Sequence, residues 1–225
     1  MRKTLLIAAA ALASSVISSQ AQVYSQNIVG YINVPLASGY TALANQLDFD
    51  GTGTNNTVAT VFGTNLVSGS TVYAWETSSA GYTSANWTKS KSGALGWIGN
   101  TNGISAALNE GNGVFVQSPA TNNLTLVGTV LQGTNLISLV AGYNLVSSVA
   151  PISGDLVTNL GYAPAVGDIV YVWNTSSQGY SSDNYIKTKS GSAAWSSGAA
   201  PQITVAQAFF IQAAAAETWT NTFVE

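Results

Sequence analysis

The chain has 225 residues, with six basic and nine acidic side chains and no histidine or cysteine. Without histidine there is no Ser-His-Asp arrangement, no His-containing zinc site and none of the commonest general base; without cysteine there are no disulfides, thiolate chemistry or Cys-ligated metal. So few basic residues make nucleic acid a poor partner, because gripping a phosphate backbone needs clustered Lys and Arg.

The opening "MRKTLLIAAAALASSVISSQAQ" carries Arg2 and Lys3, an apolar run from Leu5 to Ala13, and a small-x-small site at Ser19-Gln20-Ala21. That layout predicts a secretory signal peptide over residues 1–21, cleaved before Gln22. The apolar run is too short to span a bilayer as a helix, and no later stretch is apolar for long enough, so no transmembrane segment is expected in the mature chain. The expected location is secreted or at the cell surface of a bacterium. After cleavage four basic residues face nine acidic ones. The exterior is then weakly charged and rich in Gly, Ser, Thr and Asn, more like a wall or fibre protein than a cytosolic enzyme.

Two copies of one unit dominate the mature chain. "VYAWETSSAGYTSANWTKSKSGALGW" (Val72–Trp97) aligns with "VYVWNTSSQGYSSDNYIKTKSGSAAW" (Val170–Trp195) at a spacing of 98, and 15 of 26 positions are identical. Gly39-Tyr40 matches Gly142-Tyr143 at a spacing of 103, and "VFVQ" (Val114–Gln117) matches "FFIQ" (Phe209–Gln212) at 95. Units of this size are domains or half-domains, not small solenoid repeats. The expected boundaries are 22–127 for the first β unit and 128–225 for the second. The apolar stretch Gly128–Ala141 reads as strand, which favours two tightly packed units.

In chain order, "NIVGYINVPL" is a strand leading into the first unit, and "GYTALANQL" starts the repeat proper. "LDFDGTGTNNT" then sets Asp48, Asp50 and Thr52 at two-residue spacing around glycines. Such oxygen ligands on a flexible loop suit calcium, although the late bidentate acid of an EF-hand is missing. A polar loop without metal is the competing reading. Asn56–Phe62 predicts a short helix capped by Thr57, matched in the second unit by Gly154–Leu160 capped by Asp155. "TNGISAALNEGNG" offers another helical turn. "STVYAWE" alternates, with Tyr73 and Trp75 on one face and Val72 and Ala74 on the other. "SSAGY" is a glycine turn, "NWTKSK" resumes the strand and "GNGVFVQS" makes another. "NNLTLVGTVLQG" leads into the second unit, where "GYNLVSSV", "DIVYVWN", "SSQGY", "NYIKTK" and "AQAFFIQA" repeat the series. Many short strands with glycine turns predict an all-β fold: two duplicated β-sandwich or barrel-like units with minor helical turns.

Candidate binding residues emerge from the strand period. Lys89 and Lys91, and Lys187 and Lys189, stand at i and i+2, so on a strand each pair shares a face with Trp87 or Tyr185. That is either a solvated, edge-guarding face or a cationic patch beside an aromatic, able to hold an anionic partner or an acidic glycan. Recurrent large aromatics most often fill cores, which leaves the turn tyrosines Tyr82 and Tyr180 as the better surface candidates. Glycoside hydrolysis needs two carboxylates across a sugar, yet the acidic residues do not recur: Glu76 aligns with Asn174, and Asp168 with Ser70. Ser-Lys catalysis is disfavoured too, since Lys89-Ser90 and Lys189-Ser190 are adjacent on an apparent strand and diverge.

The segment Tyr24–Leu36 ("YSQNIVGYINVPL"), followed by Gly39–Asn45, resembles exported proteins of Verrucomicrobia and related phyla. Gly142–Val146, Val170–Trp173 and Ala206–Ile211 are also similar to surface modules of secreted Bacteroidetes proteins, although Ser148 and Ala206 depart from that pattern. The resemblance implies export and no catalytic residue. The expectation is a secreted, non-enzymatic structural or surface-associated protein that self-associates or contacts matrix. The alternative is a carbohydrate-binding module that grips polysaccharide with exposed aromatics and paired lysines.

Overall fold

The computed structural model describes residues 28–224, so the expected signal peptide and its cleavage site lie outside the described residues. The first unit holds β1 (Val29–Leu36), β2 (Gly39–Ala44), helix α1 (Val58–Phe62), β3 (Ser70–Glu76), β4 (Gly81–Lys89), β5 (Leu95–Gly99), helical turn α2 (Thr101–Ile104), β6 (Gly113–Ser118) and β7 (Asn122–Thr129). The second holds β8 (Gly133–Leu139), β9 (Gly142–Val146), β10 (Gly154–Asp155), β11 (Ile169–Asn174), β12 (Gly179–Lys187), β13 (Ala193–Trp195), β14 (Gln202–Ile203), β15 (Phe209–Ala213) and β16 (Glu217–Phe223).

The fold is all-β and built twice. Each unit has a five-stranded antiparallel sheet in the same order, β2-β6-β3-β4-β5 and β9-β15-β11-β12-β13. Neither sheet closes into a barrel. A two-stranded ribbon, β1 with β7 or β8 with β16, supplies a second layer. In the first unit Ile32, Leu36, Leu124 and Leu126 of the ribbon share one core with Val72, Val114 and Val116 of the sheet. In the second, Ile137, Leu139 and Trp219 meet Val170, Phe209 and Ile211. Each unit is thus a small sandwich. The segment "NNLTLVGTVLQG" does not lead into the second unit, as its sequence suggests; its strand turns back on β1 and completes the first. Only by that pairing do Leu124 and Leu126 reach the core under Ile32.

Period-two alternation decides what each sheet does with its other face. Val72 and Ala74 enter the core of the first unit, while Tyr73 and Trp75 leave by the opposite face. Phe115 lies between Val114 and Val116 and does the same. In the second unit Tyr171, Trp173 and Phe210 alternate with Val170, Val172, Phe209 and Ile211. These second faces meet each other, with Ala42, Ala44, Leu145 and Ala208 between them. The units therefore form a tight pair. Backbone bonds close the seam reciprocally: Ala44 N donates to Ala206 O at 2.9 Å, and Ser147 N to Gly111 O at 2.9 Å. Matching residues exchange matching contacts, the mark of an approximate two-fold axis.

The predicted helix at Asn56–Phe62 forms over Val58–Phe62, with Thr57 as N-cap in a reciprocal capping box with Thr60. Its expected counterpart at Gly154–Leu160 is not a helix. Asp155 does accept from Val157 N (2.9 Å) and Thr158 N (2.8 Å) as a cap would. However, Gly154-Asp155 pairs with β14, and the chain then runs through irregular turns. In the turns "SSAGY" and "SSQGY" the left-handed residue is not the glycine but Ala80 (φ 48°) and Gln178 (φ 51°).

Candidate functional site

Five aromatics from each unit collect at the seam, at the spacings that define the repeat: Tyr40 with Tyr143, Tyr73 with Tyr171, Trp75 with Trp173, Tyr82 with Tyr180, and Phe115 with Phe210. Six of them close a loop of ring contacts. Trp173 meets Phe115 (5.3 Å between centroids), Phe115 meets Tyr82 (6.3 Å), and Tyr82 meets Trp75 (5.0 Å). Trp75 meets Phe210 (5.1 Å), Phe210 meets Tyr180 (6.2 Å), and Tyr180 returns to Trp173 (4.9 Å). Five of these six contacts are edge-to-face, the arrangement that the ring quadrupole favours. Tyr40 and Tyr73 form a wing on one side, Tyr143 and Tyr171 on the other.

Hydrogen bonds fix the rings. Trp75 Nε1 donates to Tyr143 O at 3.0 Å, and Trp173 Nε1 to Tyr40 O at 2.9 Å, each crossing the seam. Tyr73 OH donates to Gln117 Oε1 (3.1 Å) and Tyr171 OH to Gln212 Oε1 (3.0 Å). Yet the cluster is not sealed. Tyr40, Tyr82, Tyr143 and Tyr180 remain 37%, 45%, 43% and 48% exposed. Tyr40, Tyr73, Tyr82, Phe115, Trp173 and Tyr180 line an open trough of about 300 Å³. No charged side chain among the described residues lines it. Burial among the rings, followed by the neighbouring Tyr180, pushes the Tyr82 hydroxyl well above the ordinary phenol range. Burial likewise raises Tyr73, Tyr171 and Tyr180. The surface is therefore uncharged and presents aromatic rings, with the hydroxyls of Tyr73 and Tyr171 held by Gln117 and Gln212.

The residues singled out from sequence fall in three places. Tyr82 and Tyr180 stand at the centre of the seam. Trp87 is not a surface platform: it is buried against Trp97 (5.4 Å), and its indole N–H has no acceptor among the described residues. Tyr185 is half-buried against Trp195 (5.2 Å) in the second core. The lysine pairs do not share a strand face. Lys89 and Lys187 end β4 and β12, whereas Lys91 and Lys189 sit in turns closed by Gly93 N to Ser90 O and Gly191 N to Thr188 O, both 2.9 Å. The seven steps along the strand from Tyr82 to Lys89 span roughly 23 Å, so these hairpin tips lie far from the aromatic seam.

Asp48 and Asp50 serve their own loop. Asp48 is buried, and its two carboxylate oxygens accept from Gly53 N (2.9 Å) and Asn56 Nδ2 (3.1 Å). Asp50 accepts from Thr52 N (3.0 Å), Thr52 Oγ1 (2.7 Å) and Asn55, bonds that hold its carboxyl below the usual range. Among the described residues no group of three or more acidic side chains converges. Asn56 also donates to Glu110 Oε1 at 2.8 Å. Burial, reinforced by repulsion from Asp48, raises the Glu110 carboxyl.

The sequence reading gives recurrent large aromatics such as Trp75 and Trp173 to cores and does not single out Tyr40, Tyr73, Phe115 or their counterparts as a surface. The signal that points to them is that each strand already has an aliphatic set for one core, leaving the aromatic set for a second surface. No helix among the described residues is long and apolar enough to cross a membrane. Comparison with protein-family models, curated proteins and solved structures finds no match.

Proposed function

We propose that the chain is a non-enzymatic carbohydrate-binding protein that holds a neutral polysaccharide by stacking sugar rings on the aromatic seam. One observation carries this reading: four tyrosines stay more than a third exposed around a closed loop of rings that a purely structural seam would bury. Large exposed apolar patches on folded domains mark binding surfaces. The C–H faces of a pyranose match such rings, and neutral phenols and amides match its hydroxyls. The absence of charge from the trough favours a neutral glycan over an acidic one, and the lysines are set apart from it.

Affinity electrophoresis or pull-down with insoluble and soluble neutral polysaccharides tests this. Tyr82→Ala and Tyr180→Ala are expected to lose at least tenfold in binding, while Lys89→Ala and Lys187→Ala bind normally. Retention by both tyrosine variants overturns the assignment.

A surface-associated structural role has its own support. The outward face of the β1–β7 ribbon exposes Val29, Tyr31 and Val127. Among the described residues, strands β5 and β13 also end their sheets with no further strand beyond them. Export to the bacterial surface fits both roles. Light-scattering mass of residues 22–225 separates them, since assembly through these edges gives a concentration-dependent mass and glycan binding alone gives a monomer.

A further inference from the structure

Behind Trp75 and behind Trp173 the two units enclose a pair of clefts that the two-fold axis should make alike. One is lined by Trp75, Thr77, Asn109, Glu110, Asn112 and Asn144; the other by Trp173, Thr175, Thr204, Val205, Gln207 and Thr41. Position by position these are the same sites of the repeat, at spacings of 98, 95 and 103. They are nevertheless unequal, with volumes of about 350 Å³ and about 210 Å³.

Four of these six positions differ in residue type, and two replacements bear on polarity and access. Glu110 stands where the second cleft has Val205. Gln178 clasps the smaller cleft's side of the seam, donating to Tyr40 O (3.0 Å) and Thr175 O (2.6 Å) and accepting from Tyr40 N (2.8 Å). Its counterpart is Ala80, which has no side chain to make that clasp. The larger cleft therefore combines an unclasped seam, a Trp ring, the exposed amides of Asn109 and Asn112, and a carboxylate anchored on one oxygen by Asn56. The Trp75 N–H is already committed to Tyr143 O, so the indole offers its surface and not its donor.

We infer that this cleft is a second subsite, which takes one neutral sugar residue of the chain stacked on the seam. Glu110 accepts hydrogen bonds from its hydroxyls, and the exposed amides of Asn109 and Asn112 flank it, whereas the buried Asn144 amide is committed to Val140 and Gly142 and only walls the cleft. The volume sits at the lower end of small-ligand pockets, in keeping with a single ring and its hydroxyls. This rests on the glycan reading above and adds polarity to it. The loop of six rings is made of three matched pairs and sets no direction by itself, whereas the Glu110 cleft exists on one side only.

Calorimetric titration with soluble neutral gluco-, xylo- and manno-oligosaccharides of two to six units tests the inference on the full mature chain. Glu110→Val, which copies the second unit, and Ala80→Gln, which installs the missing clasp, are each expected to weaken binding about tenfold. Val205→Ala at the matching position should have no effect. Glu110→Gln serves where the valine variant unfolds, and it should weaken binding less than Ala80→Gln. Wild-type affinity in Glu110→Val, Glu110→Gln and Ala80→Gln, with binding lost in Tyr82→Ala, overturns the subsite and leaves the seam reading standing. No binding of any member of the panel, or of any insoluble polysaccharide, by the wild type overturns both.

Discussion

Gly113 and Ala208 hold the same position in the two units and face each other across the seam: a Cβ added to Gly113 would lie 2.7 Å from the Cβ of Ala208. It would also lie 2.8 Å from Cγ of Leu145. No rotamer relieves a clash at Cβ, so this glycine sets how closely the two sheets approach, and with it the loop of rings that depends on that approach.

Gly113→Val is therefore expected to cost about 1–3 kcal/mol, as overpacked cores do, and to open the seam without touching any aromatic. Chemical denaturation gives the first quantity. Near-ultraviolet circular dichroism, which reads the packed tryptophans and tyrosines, gives the second. An unchanged aromatic spectrum would show that the sheets have room that the geometry denies them.

The indole bonds of Trp75 and Trp173 should be worth about 1 kcal/mol each, the usual net value of a hydrogen bond. Trp75→Phe and Trp173→Phe keep a ring in place and remove only the donor and part of the stacking surface. Since both rings belong to one closed loop, the double variant is expected to depart from additivity by at least about 0.5 kcal/mol. Strict additivity in urea melts would mean that the two halves of the seam act independently.

Gln46 is fully buried and spans the units. Its Nε2 donates to Ser148 Oγ (2.8 Å), Ser148 O (3.1 Å) and Ala150 O (3.1 Å), and its Oε1 accepts from Ala206 N at 2.7 Å. Gln46→Leu preserves the volume and leaves the Ala206 N–H without that acceptor, a loss of about 1–3 kcal/mol. The denaturation midpoint should fall with the slope unchanged. A neutral result would mean that water replaces the amide.

Alkaline pH should act through the seam tyrosines. Tyr73, Tyr82, Tyr171 and Tyr180 hold their protons more tightly folded than unfolded, so their contribution to stability is complete below pH 10.0, the ordinary phenol value, and is lost as pH rises beyond it. Ultraviolet titration of the folded protein is expected to show these four ionising late, together with loss of the native aromatic spectrum. Full ionisation of every tyrosine near pH 10 with the fold intact would contradict the packing of the seam.

Much of this fold is readable from residue order. The alternation of Val72, Tyr73, Ala74 and Trp75 assigns two faces to β3, and Thr57 announces α1. The two-fold seam is not readable in that way. Repetition shows that two units are alike but is silent on whether they sit side by side, end to end or face to face. The aromatic set reads as core because a ring looks the same in sequence whether it faces its own unit or the next. Lys89-Ser90-Lys91 alternates like strand, and only Gly93, four residues beyond Lys89, marks the turn that separates the two charges. Asp155 reads as a helix cap and does cap two amides, but β14 pairs with the same residues and interrupts the helix before it starts.

Residues 130–132 join the two units, and that short connection has consequences beyond geometry. Separate subunits built on this seam would come apart on dilution, whereas a short tether keeps the partner at an effective concentration in the millimolar range. The ring-lined surface therefore survives at any concentration at which the chain itself is found. Covalent joining also frees the halves from identity. In a homodimer any change at position 110 would occur on both sides of the axis, but here Glu110 and Val205, or Ala80 and Gln178, can drift apart, and a symmetric aromatic surface can acquire a front and a back.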